Sequence, residues 1–235
     1  MVDIHNHLLY GIDDGSKTIE ESIDILRDLE SVGYTDIILT PHYIKDSKYS
    51  SNAINNYKLL KELQNALNEN DIKINLYLGN EIYIDDDIMD LLRNREIYSL
   101  NGTPYLLIEL PMSGEYGGYL ELFNYLNEQG CKVVLAHPER YLSFQKDYKK
   151  VDEVLSTGVL LQSNIESILG KYGSSAKKMI KRLLKEKKIA FLATDIHHKK
   201  HDYNDFNKAK KMILKYISES EYEMLVNINP SKLLN

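Results

Sequence analysis

A single cysteine, Cys131, in 235 residues leaves no partner for an intramolecular disulfide and suits a reducing, cytoplasmic setting. No apolar run approaches the roughly 18 residues of a membrane span, so no membrane insertion is expected. Polar and titratable residues occur from Asp3 onward, which argues against a secretory leader. Tryptophan is absent while lysine, asparagine, isoleucine and tyrosine abound, a bias of codon composition rather than of function. Positive charge is in deficit. The 29 Lys and Arg face 35 Asp and Glu, a net charge of −6, and an acidic surface repels nucleic acid. What remains, 43% hydrophobic and 27% charged, is the composition of an ordinary globular protein. It is long enough to bury a sizeable core. No low-complexity linker or charge block divides it, so residues 1–235 read as a single domain.

Short apolar segments alternate with helical ones. The predicted strands are VDIH at the start, DIILT (36–40), INLYLG (74–79), YLLIEL (105–110), CKVVLAH (131–137), VLLQSN (159–164) and IAFLATD (189–195). Between and after them, helical spacing or composition predicts helices from Thr18 to before Gly33, then around 52–69, 85–93, 118–129, 148–156, 174–187, 205–217 and 219–227. TIEE at 18–21 reads as a capping box with Glu21 reaching back. The strands are apolar on consecutive residues, the pattern of a parallel sheet covered by helices on both faces. Repeated strand–helix units make the fold α/β. Seven strands rather than eight predict an incomplete or distorted TIM-like barrel.

The strands close on HNH, TPH, GNE, IEL, AHPER, QSN and TDIH. In barrels of this kind the C-terminal strand ends build the active site. His5 and His7, two apart on one strand, project from one face. Asp14, His42, Glu81, Glu109, His137, Asp195 and His197 all fall at or just past a strand end. Five of the seven histidines belong to this set, which random surface placement would not sort so. Imidazoles and carboxylates without a thiolate favour zinc, manganese or iron(II). Nine ligands exceed the need of one ion and suit two or three sharing a bridging carboxylate. Such clusters clamp a phosphate and lower the pKa of a bridging water, which points to phosphoester hydrolysis.

HNH followed by DDG, then TPH, GNEIY, the glutamate of LLIEL, AHPERY and TDIHH resembles the PHP (polymerase and histidinol phosphatase) superfamily. Within it the chain resembles the bacterial manganese-dependent protein-tyrosine phosphatases of capsule and exopolysaccharide operons, the CpsB/YwqE type. The resemblance runs to the terminal NPSKLL. It implies a (β/α)7 barrel of the PHP type and three metal positions, with manganese as the expected ion and iron or zinc as alternatives. By the family pattern His5, His7, Glu81 and Asp195 would hold one ion. Glu81 would bridge to a second, held also by Glu109 and His137, and Asp14, His42 and His197 would hold the third. The implied partner is a phosphotyrosine protein, the tyrosine-rich tail of a bacterial tyrosine autokinase that controls polysaccharide export.

Arg140 in HPER matches a family arginine, and its guanidinium would grip phosphate oxygens bidentately. His42 or His197, if unligated, would assist the leaving oxygen. The family tends to carry a further arginine after the last histidine motif. Here that stretch reads HHKKHD, leaving Lys199, Lys200 or His201 as substitutes or as a solvated loop. Asp13 reads as a turn residue or an acceptor behind the ligands. Asn164 either lines the pocket or is a satisfied strand-end amide. Tyr10, Tyr43, Tyr83 and Tyr141 adjoin the motifs and could stack on a phenyl ring. Cysteine-dependent tyrosine phosphatases need an arginine six positions after the cysteine, and Cys131 has His137 there, so Cys131 reads as core packing. The main rival reading is a small-molecule phosphatase such as a histidinol phosphatase. An amidohydrolase would need a strand-end lysine that is not seen, and a non-catalytic metal-bound scaffold would have little use for an intact ligand set.

Overall fold

The computed structural model describes residues 1–50, 53–114, 117–199 and 204–234. Nine parallel strands occur in it: β1 (Val2–Asp3), β2 (Asp36–Leu39), β3 (His42–Tyr43), β4 (Asn75–Leu78), β5 (Glu81–Tyr83), β6 (Tyr105–Glu109), β7 (Lys132–Ala136), β8 (Leu160–Asn164) and β9 (Ile189–Ala193). They form two sheets, β1-β2-β4 and β3-β5-β6-β7-β8-β9. The seven sequence-predicted strands are all present. The extra two arise because the second and third are interrupted, at Thr40–Pro41 and Gly79–Asn80. Proline has no N–H to give the ladder at the first break. Hydrogen bonds carry the ladder across both breaks, Gly79 N–H to Leu39 O at 2.8 Å and Glu81 N–H to Pro41 O at 3.2 Å.

Hydrogen bonds also join the first strand to the last. Asp195 N–H donates to His5 O at 2.8 Å and His7 N–H to Ile196 O at 2.9 Å, with a parallel bridge between Asn6 and Ile196. The result is a seven-stranded ring in sequence order, a distorted TIM-like barrel. Asp3 stitches the same seam. Fully buried, its carboxylate accepts from Thr194 N–H (3.0 Å), Thr194 Oγ1 (2.7 Å) and Asn6 Nδ2 (3.2 Å). Burial, only partly offset by these bonds, pushes the Asp3 pKa up to about 6.

Alternate residues of each strand serve two cores. Ile37, Leu39, Leu106, Ile108, Val133, Leu135, Leu161 and Leu192 pack outward on the helices. Val2, Ile4, Ile38, Leu107, Val134, Ala136, Phe191 and Ala193 face inward, joined by Leu100 and Leu233. The helices that pack outside include α1 (Ile19–Ser31), α2 (Ala53–Glu69), α3 (Ile88–Arg93), α4 (Tyr119–Glu128), α5 (Leu142–Lys146), α6 (Lys149–Ser156), α7 (Ser174–Lys185) and α8 (Asn204–Ile213). The one-turn α5 has no counterpart among the predicted helices. Thr18 caps α1 by accepting from Glu21 N–H at 3.3 Å. The Glu21 carboxylate reaches back one residue farther than a capping box requires, to Lys17 N–H at 2.8 Å.

The inward parity places the site. Along β6 it runs from Leu107 to Glu109, along β8 from Leu160 to Gln162 and Asn164, and past β9 from Ala193 to Asp195. An apolar lower layer thus gives way to a polar upper layer at the C-terminal strand ends. Asp3→Ala would strand the Thr194 and Asn6 donors in a buried seam. It is expected to cost roughly 2–4 kcal/mol, read as a lower urea midpoint, and an unchanged midpoint would contradict the role given to the seam.

Candidate metal centre

All nine side chains singled out from the strand ends converge at the C-terminal mouth. Glu81, at the start of β5, lies at the middle. Its Oε1 is 2.9 Å from His137 Nε2 and 3.2 Å from His5 Nε2. Its Oε2 is 2.9 Å from His42 Nδ1 and 3.3 Å from His7 Nε2. Asp195 Oδ1 lies 3.4 Å from both His5 Nε2 and His7 Nε2 and 3.6 Å from His197 Nδ1. Glu109 approaches His137 Nε2 at 3.6 Å. Asp14, on the solvent side, is 3.5 Å from His42 Nε2 and 3.6 Å from His197 Nε2.

Two donors each about 2.1 Å from a common ion sit roughly 3.0–3.5 Å apart, the spacing found here. Four groupings have their donor atoms within 4.8 Å of one another: His7–Asp14–His42–His197, His5–His7–Glu81, His5–His137–Asp195 and His42–Glu81–Glu109. His5, His7, His42 and Glu81 each appear twice, so the cluster offers more than one ion position with shared donors. His5 Nε2 and His7 Nε2 are buried and lack a hydrogen-bond partner, while the far ring nitrogens of His5 and His7 are occupied. His5 Nδ1 faces Gln162 Oε1 at 2.8 Å and His7 Nδ1 faces Asp13 Oδ2 at 2.8 Å. With Nδ1–H donating to these oxygens, each Nε2 faces the cluster and is left to take a metal ion in place of a proton, the usual arrangement of a metal-binding histidine. These residues fit a metal ion.

The electrostatics say the same. Burial, then repulsion from Glu81 and Asp195, pushes the Glu109 pKa up to about 9. Burial works against the charge on Glu81, yet His5, His42 and His137 outweigh it and hold that carboxyl well below its usual range. Burial also opposes a charge on His5, but Glu81 and Asp195 push it up to about 9. Burial and neighbouring His7 push His197 down to about 4, leaving the neutral imidazole that ligates metals. A cation among these carboxylates would relieve the repulsion that protonation relieves here.

His137 (φ 32°) and Asp195 (φ 52°) both turn left-handed just past their strands, a cost found at functional sites. The DDG loop folds back on His7. Gly15 N–H donates to Asp13 Oδ1 at 2.9 Å and Ser16 N–H to His7 O at 3.0 Å. A Cβ on Gly15 would stand 1.9 Å from the His7 carbonyl oxygen.

The remaining candidates sort cleanly. Asp13 is the acceptor behind His7, and its Oδ2 also takes His42 N–H at 3.0 Å. Asn164 is a satisfied amide with a positioning role, donating to Asp195 Oδ2 at 2.6 Å and accepting from Gln162 at 3.0 Å. Arg140 is at the mouth, with a guanidinium nitrogen 2.7 Å from Asp195 Oδ2 and its Cζ 4.6 Å from the Tyr172 ring centroid. Tyr141 is fully buried and bonded to Ala136 O, and Tyr43 is buried too, so neither can stack on a ring at the mouth. Tyr10 is engaged with Glu62. Lys199 pairs with Asp24 of α1, while Lys200 and His201 lie outside the described residues. Sequence reading missed Gln162, whose signal was a second inward polar residue in QSN, and Tyr172, which carries no motif.

A family model for capsular polysaccharide synthesis proteins, CpsB/CapC, matches residues 1–235. CapC of Staphylococcus aureus is 38% identical over 199 residues, 84% of this chain and 77% of CapC. The tyrosine-protein phosphatase YwqE of Bacillus subtilis is 31% identical over 200 residues, 85% of this chain and 78% of YwqE. A solved structure from a study of Bacillus subtilis YwqE and Streptococcus pneumoniae CpsB, presented as metal-dependent tyrosine phosphatases, superposes with a TM-score of 0.92. It is 30% identical, and the match covers 100% of this chain and 94% of that one.

Gly15→Ala is expected to cost roughly 1–3 kcal/mol through the clash with His7, seen as a lower Tm. A Tm equal to wild type would mean that the loop has slack this geometry denies it.

Proposed function

The chain belongs to the CpsB/CapC family of capsular polysaccharide synthesis, and from that premise we propose that it is a metal-dependent phosphatase of protein phosphotyrosine. The protein we assign to it is the tail of a bacterial tyrosine autokinase that controls capsule or exopolysaccharide synthesis, met in the cytoplasm. Residues 1–235 would act as one catalytic domain. The observation that carries this reading is the convergence of nine imidazole and carboxylate side chains at the mouth, four of the imidazoles 2.9–3.3 Å from Glu81, with unpartnered ring nitrogens aimed inward.

We assign His5, His7, Asp14, His42, Glu81, Glu109, His137, Asp195 and His197 to hold two or three ions, with manganese the preferred identity. Bound there, the ions would supply Lewis acidity toward the phosphate and lower the pKa of coordinated water. The chain's own residues do the rest. Glu81, reached by four histidines and belonging to two of the donor groups, would help hold more than one ion. Gln162 and Asp13 fix the ring orientation of His5 and His7, and Asn164 fixes Asp195. Arg140, partly exposed and held over the Tyr172 ring, is placed to exchange its Asp195 contact for two phosphate oxygens, a charge-assisted fork. His42 and His197 occupy the open side of the cluster with Asp14, where the phenolate oxygen would depart. Cys131 stands at the opposite end of β7, with its sulfur 3.8 Å from Met89 Sδ, and takes no part.

Phosphate release from a phosphotyrosine peptide should fall to background after chelation and return with added Mn²⁺. Chelator-resistant turnover, or turnover of histidinol phosphate in preference to the peptide, would contradict the assignment. Arg140→Ala should lower kcat/KM for the peptide by about 10–100-fold while metal content is kept, and an unchanged kcat/KM would remove Arg140 from the site. Asp13→Asn should weaken metal affinity about 10–100-fold, measured by titration against a competing chelator. Unaltered affinity would reduce Asp13 to a turn residue.

A further inference from the structure

Charge is distributed very unevenly in this acidic chain. Residues 171–215 contain fourteen lysines and arginines against four carboxylates, leaving fifteen against thirty-one for all other residues. Five of the fourteen cations sit on α7. The inner face of α7, Ala176, Met179, Ile180, Leu183 and Leu184, is buried on the barrel. Its outer face carries Lys178, Lys181, Arg182 and Lys185, spaced three and four apart and so on one stripe. Arg182 is engaged by Glu186. Lys181 and Lys185 lie 6.0 and 5.5 Å from the Tyr216 ring, and among the described residues no carboxylate pairs with Lys178, Lys181 or Lys185.

The helix that carries the stripe starts beside the mouth. Tyr172, two residues before α7, lies under the Arg140 guanidinium, which touches Asp195. From there the twelve residues of α7 descend the barrel flank for about 18 Å. An extended polypeptide covers that distance in about five or six residues. An anionic membrane is disfavoured as the occupant because α7 turns its apolar face to the barrel, leaving nothing to insert. The exposed large apolar side chains of the described residues, such as Ile54, Leu142 and Met224, lie elsewhere.

Resting on the phosphatase reading above, we propose that the lysine stripe of α7 docks an acidic segment of the protein substrate, roughly two to six residues from the phosphotyrosine held at the mouth. Charge complementarity over this distance steers and selects the substrate and leaves the chemistry at the cluster untouched.

The test uses the metal-loaded chain and two phosphotyrosine peptides, one with glutamates two to six positions from the phosphotyrosine on either side, the other with glutamines there. The wild type should favour the acidic peptide about 10-fold in kcat/KM at low ionic strength, with the preference shrinking as salt is raised to about 0.3 M. The triple variant Lys178→Gln, Lys181→Gln, Lys185→Gln should lose the preference while hydrolysing 4-nitrophenyl phosphate at the wild-type rate. Equal use of both peptides by the wild type, or an undiminished preference in the variant, would overturn the proposal. Fluorescence anisotropy with the unphosphorylated acidic peptide decides the docking surface independently of turnover. Tighter binding to wild type than to the variant supports it even if no phosphotyrosine is hydrolysed, in which case the phosphatase reading alone falls. Equal or absent binding overturns it. So does a lysine-dependent affinity confined to phosphatidylglycerol vesicles, or a lysine-dependent self-association without peptide selectivity.

Discussion

Repulsion among the buried carboxylates Glu81, Glu109 and Asp195 is the constraint on which the rest of the molecule depends. Three acids within reach of one another and largely shielded from water cannot all carry charge without compensation. The chain answers with imidazoles on every side and one guanidinium at the rim, and Glu109 still rises to about 9. A site in this condition is a receptacle for cations. Its donors come from strand ends all round the ring, so the receptacle exists only if the ring is closed. That gives the seam its importance. His5 and His7 stand at one edge of the sheet, Asp195 and His197 at the other, and the Asp3–Thr194 contacts with the His7–Ile196 and Asp195–His5 hydrogen bonds bring the two edges together.

Stability and chemistry occupy different layers of the same strands. The inward residues are apolar at the lower level and polar at the upper, so the apolar layer fills the barrel while the polar one builds the mouth. Between them stand residues that set the geometry of the cluster side chains: Gln162 behind His5 and beside His137, Asp13 behind His7 and His42, Asn164 behind Asp195. The left-handed turns at His137 and Asp195 fit this arrangement. Each redirects a cluster side chain at the point where the strand must end, and the hydrogen bonds around it repay the backbone cost.

Much of this was legible in the sequence. The nine converging residues were visible because each sits at a strand end, and the strands were visible because doubly buried segments are apolar without alternation. The polar layer was less so. Gln162 is an amide in a strand, and nothing in its type separates a positioning amide from an ordinary one until His5 Nδ1 is found 2.8 Å away. Tyr141 misled for the converse reason. It follows a motif arginine, but a tyrosine is large enough to bury whole, and its hydroxyl caps Ala136 O and takes Leu110 N–H. Tyr172 had no local signal because its contact with Arg140 is made across 32 residues of chain. The strand breaks at Pro41 and Asn80 were hidden for another reason. The ladder continues through them, and only the regularity is lost.

If the cluster around Glu81 is a metal centre, its donors are shared between ions. The most direct measurement is anomalous diffraction from crystals grown with Mn²⁺, collected on either side of the manganese absorption edge. The account predicts two or three peaks inside the ring of nine side chains, each roughly 2.0–2.3 Å from imidazole nitrogens and carboxylate oxygens, with Glu81 touching more than one. A single peak that leaves Glu81 unshared, or peaks only outside the mouth, would contradict it.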